Sequence, residues 1–161
     1  MRRHLLQIAV LAGACLGTVS ALRAQTVCLP APRLLTTMPM GGQAGTPLDV
    51  VVTGDNLEEV ESLLFSDPGL TAIAKLDGNG APVANTFTVT IAADCPNGLH
   101  EARLLTRLGV SSSRMFTVGA LPEATRTSAN TSLETAWPLA LDSACNAVMT
   151  RQAVDHYTFE A

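Results

Sequence analysis

Acidic side chains are concentrated in one short stretch of the sequence, where they could bind a cation. Asp55, Glu58, Glu59 and Glu61 fall within seven residues, and calcium takes several carboxylate or carbonyl oxygens as ligands. The alternative is a solvated loop whose charges keep the protein soluble. We favour the loop and assign no metal ligand to this stretch.

A second stretch resembles half of a calcium-binding loop. The segment Asp77-Gly78-Asn79-Gly80 has an acidic residue followed by glycines and an amide. It lacks the following Asp or Asn and the distal Glu that complete such a loop. Because glycine and asparagine also favour tight hairpin turns, the segment predicts a β-turn.

The pattern of histidines and serines does not indicate catalysis. His100 and His156 are separated by 56 positions and fall in different predicted domains, so a Ser/His/Asp arrangement is not expected. Residues 109–113 lack the second glycine of a G-x-S-x-G turn. No H-E-x-x-H motif or phosphate-binding glycine loop is present. The sequence therefore predicts no enzyme, with no catalytic and no cofactor-binding residues.

Tryptophan and cysteine each leave one alternative open. Trp137 is the only tryptophan; it could stack on a sugar, but packing in the core or at an edge is the favoured interpretation. Cys28, Cys95 and Cys145 remain after the first 24 residues, and without a C-x-x-C motif they do not indicate zinc. Which of the three would pair in a disulfide stays open.

The first 24 residues have the organisation of a signal peptide. Arg2 and Arg3 precede a mostly apolar run, and the small residues Ala21 and Ala24 offer two cleavage sites. The apolar run is shorter than the roughly 20 residues that a transmembrane helix needs, and no later stretch is long enough. We therefore expect export to the periplasm, the cell surface or the medium, by a route that the sequence leaves open.

Composition is that of a globular, acidic domain. Hydrophobic residues make up 47% of the chain and charged residues 15%, so the protein can bury a core. Aromatic residues are only 4%, and the core must be aliphatic. The net charge of −4 would become about −7 after removal of the signal peptide. With no basic cluster, nucleic acid is not an expected partner.

Short β-type runs follow each other with turn residues between them. Thr86, Thr88 and Thr90 alternate with Phe87, Val89 and Ile91, the period of two that a half-buried strand shows. Seven such runs without helical periodicity predict a β-sandwich. They cover residues 34–37, 48–53, 60–65, 70–76, 86–91, 99–106 and 110–118, with a break at residues 38–42 and a hairpin around Leu108-Gly109.

Three stretches between residues 25 and 119 share a pattern. They are residues 38–45, residues 48–57 with Gly54 and Leu57, and Pro96-Asn97-Gly98 with the hairpin that follows. In these stretches the sequence resembles IPT/TIG domains, which are immunoglobulin-like modules. The resemblance implies an immunoglobulin-like sandwich of about seven strands over residues 25–119. Gly54 and Gly98 would lie where strands turn sharply, and Leu57 would close one end of the core.

After a polar, weakly structured linker at residues 120–131, the sequence resembles the first half of a bacterial pre-peptidase C-terminal domain. The segment 154–161, ending Tyr157-Thr158-Phe159-Glu160-Ala161, carries the best match. Calcium-binding relatives would make Asn130 and Asp155 candidate ligands, with capping and turn roles as the alternative. Ala147 stands where that family has glycine and His156 stands near an expected acidic residue, and both departures weaken the calcium inference.

Together the two modules resemble exported multidomain proteins of planctomycete-like bacteria, and they imply an incomplete second β-sandwich at residues 132–161. We expect a non-catalytic binding or spacer module whose partner is a protein or polysaccharide at the cell surface. The alternative is the N-terminal accessory region of a secreted peptidase or other hydrolase. We also expect Val154, Tyr157 and Phe159 to be poorly covered, and exposed sheet edges to offer the interaction surface.

Overall fold

The computed structural model describes residues 29–160, and every regular element among them is a β-strand, which confirms the all-β fold class. The predicted signal peptide at residues 1–24 and Cys28 lie outside the described residues. Residues 29–160 contain no helix of the length and apolarity that would cross a membrane. The strands are β1 Arg33–Met38, β2 Gly41–Gln43, β3 Pro47–Asp55, β4 Val60–Phe65, β5 Leu70–Leu76, β6 Pro82–Ile91, β7 Gly98–Thr106, β8 Gly109–Val110, β9 Arg114–Gly119, β10 Glu123–Thr125, β11 Trp137–Pro138, β12 Ala144–Asn146 and β13 Tyr157–Thr158.

Strands β1 to β9 form a sandwich of two sheets. The first sheet has the order β1-β3-β6-β5, and all its neighbours are antiparallel. The second sheet has the order β2-β9-β7-β4, with β8 paired to β7. Its strands are antiparallel except for β2 and β9, which run parallel. The predicted β-sandwich is therefore present, and it has an edge strand on each side of both sheets.

The core between the sheets is aliphatic, as the composition predicts. Phe116 is fully buried, and its ring meets that of Phe65 edge to face with centroids 5.2 Å apart. Burying a side chain of this size contributes roughly 1.5–3 kcal/mol. The other fully or nearly fully buried apolar residues are Leu34, Val50, Val52, Leu63, Leu70, Phe87, Val89, Ile91, Cys95, Ala102, Leu104 and Val118.

Strand β6 shows the predicted alternation. In its second half Phe87, Val89 and Ile91 are buried, and Thr88 and Thr90 lie on the outer face opposite Asp49 and Pro47 of β3. Thr86 differs from the other two threonines, because its side chain is buried and its hydroxyl donates to the carbonyl of Ala84 at 3.0 Å. The alternation thus sets which face of the sheet is buried, as expected for a period of two.

The break expected at residues 38–42 is only partly correct. Strand β1 ends at Met38, and the chain then re-enters the structure as β2, which belongs to the other sheet. Thr117 donates its amide to the carbonyl of Met40 at 2.9 Å and so holds this second piece in place. Pro39 interrupts one ladder because it has no amide hydrogen, but the following glycines start another.

Two local expectations are wrong. Gly54 lies inside β3 rather than at a turn; a Cβ there would be 2.0 Å from the carbonyl oxygen of Arg33, so glycine is required by the close approach of β1. The run 110–118 is not one strand, because it is interrupted between β8 and β9. Gly98 does begin a strand with φ of 145°, and Leu57 packs against the core as expected.

Residues 120–160 form a small second unit against the end of the sandwich. Strand β10, inside the stretch expected to be a weakly structured linker, pairs in parallel with β12, and β11 pairs in parallel with β13. Asn146 joins the two parts, since its Oδ1 accepts from the amide of Met40 at 2.9 Å and its Nδ2 donates to Glu123. The expected poor cover is confirmed for Val154 and Phe159, which are 67% and 65% exposed, and less fully for Tyr157, at 36%.

Candidate functional site

Three of the four carboxylates in the acidic stretch from the end of β3 into β4 form ion pairs with arginines. Arg107 contacts Glu58 at 2.7 Å and Glu59 at 3.0 Å, and Arg33 lies 3.6 Å from Asp55. All these side chains are more than half exposed, so each pair contributes little to stability. The arrangement has the character of the favoured solvated loop.

The turn between β5 and β6 is stabilised by one carboxylate. Oδ1 of Asp77 accepts from the amides of Asn79 and Ala81, both at 2.9 Å. These backbone hydrogen bonds, first that of Ala81 and then that of Asn79, hold the pKa of Asp77 below its usual range. The carboxylate therefore closes the turn on its own backbone, as the sequence predicts for this segment.

A cluster that the sequence did not indicate lies at one end of the sandwich. Asp67, Cys95 and His100 come from three different segments, and Asp67 Oδ2 is 4.0 Å from His100 Nδ1. Cys95 Sγ is 3.9 Å from Asp67 Oδ1, and His100 Nε2 donates to the carbonyl of Pro96 at 2.8 Å. Cys95 and His100 are both buried. The three residue types are those of a catalytic thiol site.

The electrostatics of this cluster oppose such chemistry. Burial raises the pKa of the Cys95 thiol, and the negative charges of Asp67 and Asp94 raise it further. A reactive cysteine needs the opposite, a thiolate stabilised by nearby positive charge. The cluster instead connects two loops, because Cys95 Sγ lies against Asp67 Oδ1 and the amide of Ala92 donates to the carbonyl of Gly69 at 2.8 Å.

Asn130 and Asp155, the candidate calcium ligands, are brought together in the second unit, but around an arginine. Arg126 Nη1 donates to Asn130 Oδ1 at 2.7 Å, and Arg126 Nη2 lies 3.4 Å from Asp155 Oδ2. The side chains of Arg126 and Asp155 are each only 8% exposed. Arg126 also donates to the carbonyls of Ser128, at 3.1 Å, and Val148. A guanidinium thus occupies the position between the two candidate ligands.

This arrangement gives both residues a structural role. Asn130 is fully buried, and its Nδ2 donates to the carbonyl of His156 at 2.8 Å while its own carbonyl accepts from the His156 amide at 2.8 Å. Arg126 Nε and Asp155 Oδ1 have no hydrogen-bond partner among residues 29–160. Within that range there is no group of three or more His, Cys, Asp or Glu side chains arranged to hold a metal ion.

Trp137 lies at an edge, in line with the favoured interpretation. It is half-buried in β11, where it pairs with Tyr157, and its amide donates to the carbonyl of His156 at 2.9 Å. Beside it an apolar groove of about 580 Å³ is lined by residues 138–141 and 158–160. Leu141 and Phe159, on the two sides of this groove, are 59% and 65% exposed.

Both outward faces of the sandwich carry exposed apolar side chains. On the second sheet these are Leu64, Leu99, Val110 and Met115. On the first sheet, Val51, Ile73 and Leu76 are exposed beside five threonines and an ion pair that joins Lys75 to Asp49. The threonines are Thr36, Thr53, Thr71, Thr88 and Thr90. Exposed aliphatic residues that lie together on a surface are typical of an interaction site.

A comparison with known proteins finds no matching family model, no matching curated protein and no matching solved structure. The resemblances to IPT/TIG and pre-peptidase C-terminal domains therefore stay predictions from the sequence. The sandwich itself is a property of the structure.

Proposed function

We propose that this chain is a non-catalytic binding or spacer module of an exported, cell-surface or secreted multidomain protein. The observation that carries the proposal is the distribution of exposed apolar side chains over a well-packed sandwich. Leu99 on the second sheet is 69% exposed, and Val154 and Phe159 in the second unit are exposed to a similar degree. Such surfaces become favourable contacts when a partner removes them from water.

The polar groups that converge in the structure support the same proposal. Asp67 is engaged with the amide of Gly69, and Arg126 is engaged with Asn130 and Asp155. Groups that are engaged with each other in this way stabilise the loops that carry them. We assign no catalytic residue and no cofactor on this basis.

The connection between the two units supports a role as a spacer. Asn146 bridges them through Met40 and Glu123, and Gln43 Nε2 donates to the carbonyl of Ala120 at 2.9 Å. Hydrogen bonds of this kind restrict the hinge between neighbouring domains, which otherwise move relative to one another. A restricted hinge keeps whatever is attached at each end at a defined separation.

The test is a binding experiment on cell envelopes of the producing bacterium with the purified full chain. We expect sedimentation with the envelopes and loss of binding after Val154→Asp or Phe159→Asp, whereas Thr90→Asp on the first sheet serves as the matched control. Protease or glycosidase treatment of the envelopes would distinguish a protein from a polysaccharide partner. Hydrolase activity of the purified chain, with no envelope binding, would contradict the proposal.

Export is a separate part of the proposal and has its own measurement. N-terminal sequencing of the protein recovered from the periplasm or the medium should begin at Leu22 or Gln25, the residues after the two candidate cleavage sites. Recovery of the uncleaved chain from the cytoplasm alone would contradict it. Reading the gene beyond Ala161 would show whether a peptidase follows, as the accessory-region alternative requires.

A further inference from the structure

The outward-facing side chains of β7 follow a symmetrical order. Along the strand they are Leu99, Glu101, Arg103 and Leu105, while the intervening residues point into the core and are mostly buried. Arg103 Nη2 contacts Glu101 Oε2 at 2.8 Å, with both side chains a little over two-fifths exposed. One acidic and one basic residue thus occupy the middle of the strand, with a leucine at each end.

Neighbouring strands extend the apolar part of this surface. Leu64 of β4 is paired with Arg103, Met115 of β9 is paired with Glu101, and Val110 of β8 is paired with Leu105. Residues that pair directly in a sheet lie side by side on the same face. The result is a surface on which five apolar side chains flank a single ion pair, with Thr117 paired to Leu99 and Ser62 paired to Leu105; we call it the β7 surface.

The charge of the β7 surface differs from that of the molecule as a whole. The chain as a whole is acidic, with a net charge of −4, and two acidic copies repel each other at long range. The β7 surface is neutral, since Glu101 and Arg103 balance each other. It is therefore a place where a second copy can approach without an added cost from net charge.

The order of the residues also determines how two copies would face each other. Consider a twofold axis in the plane of contact, perpendicular to β7 at Ala102. It places Glu101 opposite Arg103 of the second copy and Leu99 opposite Leu105 of the second copy. An axis parallel to the strand would instead place Glu101 opposite Glu101, and like charges in contact oppose association.

We propose that the β7 surface is a self-association site, on which two copies of this chain pack face to face with their β7 strands antiparallel. Closed twofold pairing uses the same patch on both copies, so the patch must be complementary to itself. The outward-facing residues of β7 itself meet this condition in both charge and apolar character. This inference concerns a second copy and does not depend on the cell-envelope partner proposed above.

The experiment is sedimentation equilibrium of the purified full chain and charge variants. The unaltered chain is expected to dimerise below about 100 µM, and Arg103→Glu or Glu101→Arg should weaken the dimer about a hundredfold by creating four like charges at the contact. Lys75→Glu on the opposite sheet changes the charge by the same amount as Arg103→Glu and should leave the dimer unchanged.

A mixture of the two charge variants provides the decisive test of the pairing. A one-to-one mixture of the Arg103→Glu and Glu101→Arg variants should form a heterodimer, because the acidic groups of one copy then face the basic groups of the other. The double variant Glu101→Arg/Arg103→Glu should dimerise like the unaltered chain. If a charge variant fails to fold, as judged by circular dichroism, Leu99→Asp takes its place, and its failure to dimerise supports the proposal.

Three results would overturn the proposal. They are a monomeric unaltered chain up to about 100 µM, equal dimerisation of the unaltered chain and Arg103→Glu, and a mixture of the two charge variants that stays monomeric. If the chain associated through its N-terminal apolar segment or its second unit instead, the unaltered chain and Arg103→Glu would dimerise equally.

Discussion

Replacing Asn130 by alanine tests whether the second unit is held together by the arrangement around Arg126. The substitution removes the hydrogen bond from Arg126 Nη1 to Asn130 Oδ1 at 2.7 Å and the hydrogen bond from Asn130 Nδ2 to the His156 carbonyl at 2.8 Å. A hydrogen bond to a charged group contributes about 1.5–3 kcal/mol and a neutral one about 1 kcal/mol. We expect the free energy of opening of this unit to fall by about 3 kcal/mol.

Hydrogen exchange measures this change where it occurs. The amides of His156 and Trp137 donate to carbonyls inside the unit, at 2.8 and 2.9 Å, so they exchange only when it opens. A loss of about 3 kcal/mol corresponds to exchange roughly a hundredfold faster. The amide of Val89, in the middle of the sandwich, should exchange at its original rate.

Ser128→Ala is the matched control, because Arg126 uses the backbone carbonyl of Ser128 and not its exposed side chain. An acceleration of less than about threefold at His156 in Asn130→Ala, or an equal effect of Ser128→Ala, would refute the reasoning. Calcium should not slow the exchange, because a guanidinium already occupies Asn130 Oδ1. Slower exchange in millimolar calcium would favour the ligand role instead.

Three further predictions concern the sandwich and its cysteines. Ser111→Ala should lower the free energy of unfolding in urea by about 1–3 kcal/mol, because the buried Ser111 hydroxyl accepts from the Leu104 amide of β7 at 2.9 Å. Ser113→Ala should have little effect, and equal losses in the two variants would contradict this reasoning. A thiol reagent at mildly alkaline pH should label half-buried Cys145 before Cys95, whose pKa is raised by burial and nearby carboxylates; faster labelling of Cys95 would be inconsistent with that environment. Hydrogen bonds, first that from Lys75, hold the pKa of Asp49 below its usual range. The contribution of Asp49 to stability is therefore present above the unfolded-state pKa of about 4 and is lost as the pH falls through the folded-state pKa. The difference in stability between the unaltered chain and Asp49→Asn should shrink in acid, and a constant difference would exclude this linkage.

The sequence predicted the strands of the sandwich well wherever local pattern decides them. Strands β4 and β5 have the expected bounds, and β6 has the expected alternation. Prediction was wrong where a distant residue decides the local structure. Gly54 is needed because Arg33 of another strand approaches it, and the break after β8 reflects the Ser111 side chain bonding to β7.

The candidate sites show the same dependence on distance along the chain. The Asp77 carboxylate accepts from amides two and four residues further along the chain, so its turn could be predicted from the local residues alone. Asp67, Cys95 and His100 are separated by up to 33 positions, and only the topology of the sandwich brings them together. Arg126 gives no signal in the sequence, since a single arginine in a polar stretch forms no pattern; its burial depends on Asp155 and Asn130.

The parallel pairing of β2 and β9 has a mechanical consequence. Tension that pulls on the chain before β2 and after β9 acts in opposite directions along two strands that run side by side. The hydrogen bonds between them, including those from the Thr117 amide to Met40 and from the Ala44 amide to Gly119, both 2.9 Å, are then loaded together in shear instead of being opened one after another. Antiparallel strands that are pulled from adjacent ends would instead lose their hydrogen bonds one at a time. Strand β2 therefore acts as a clamp that resists separation from β9 when the sandwich is under tension.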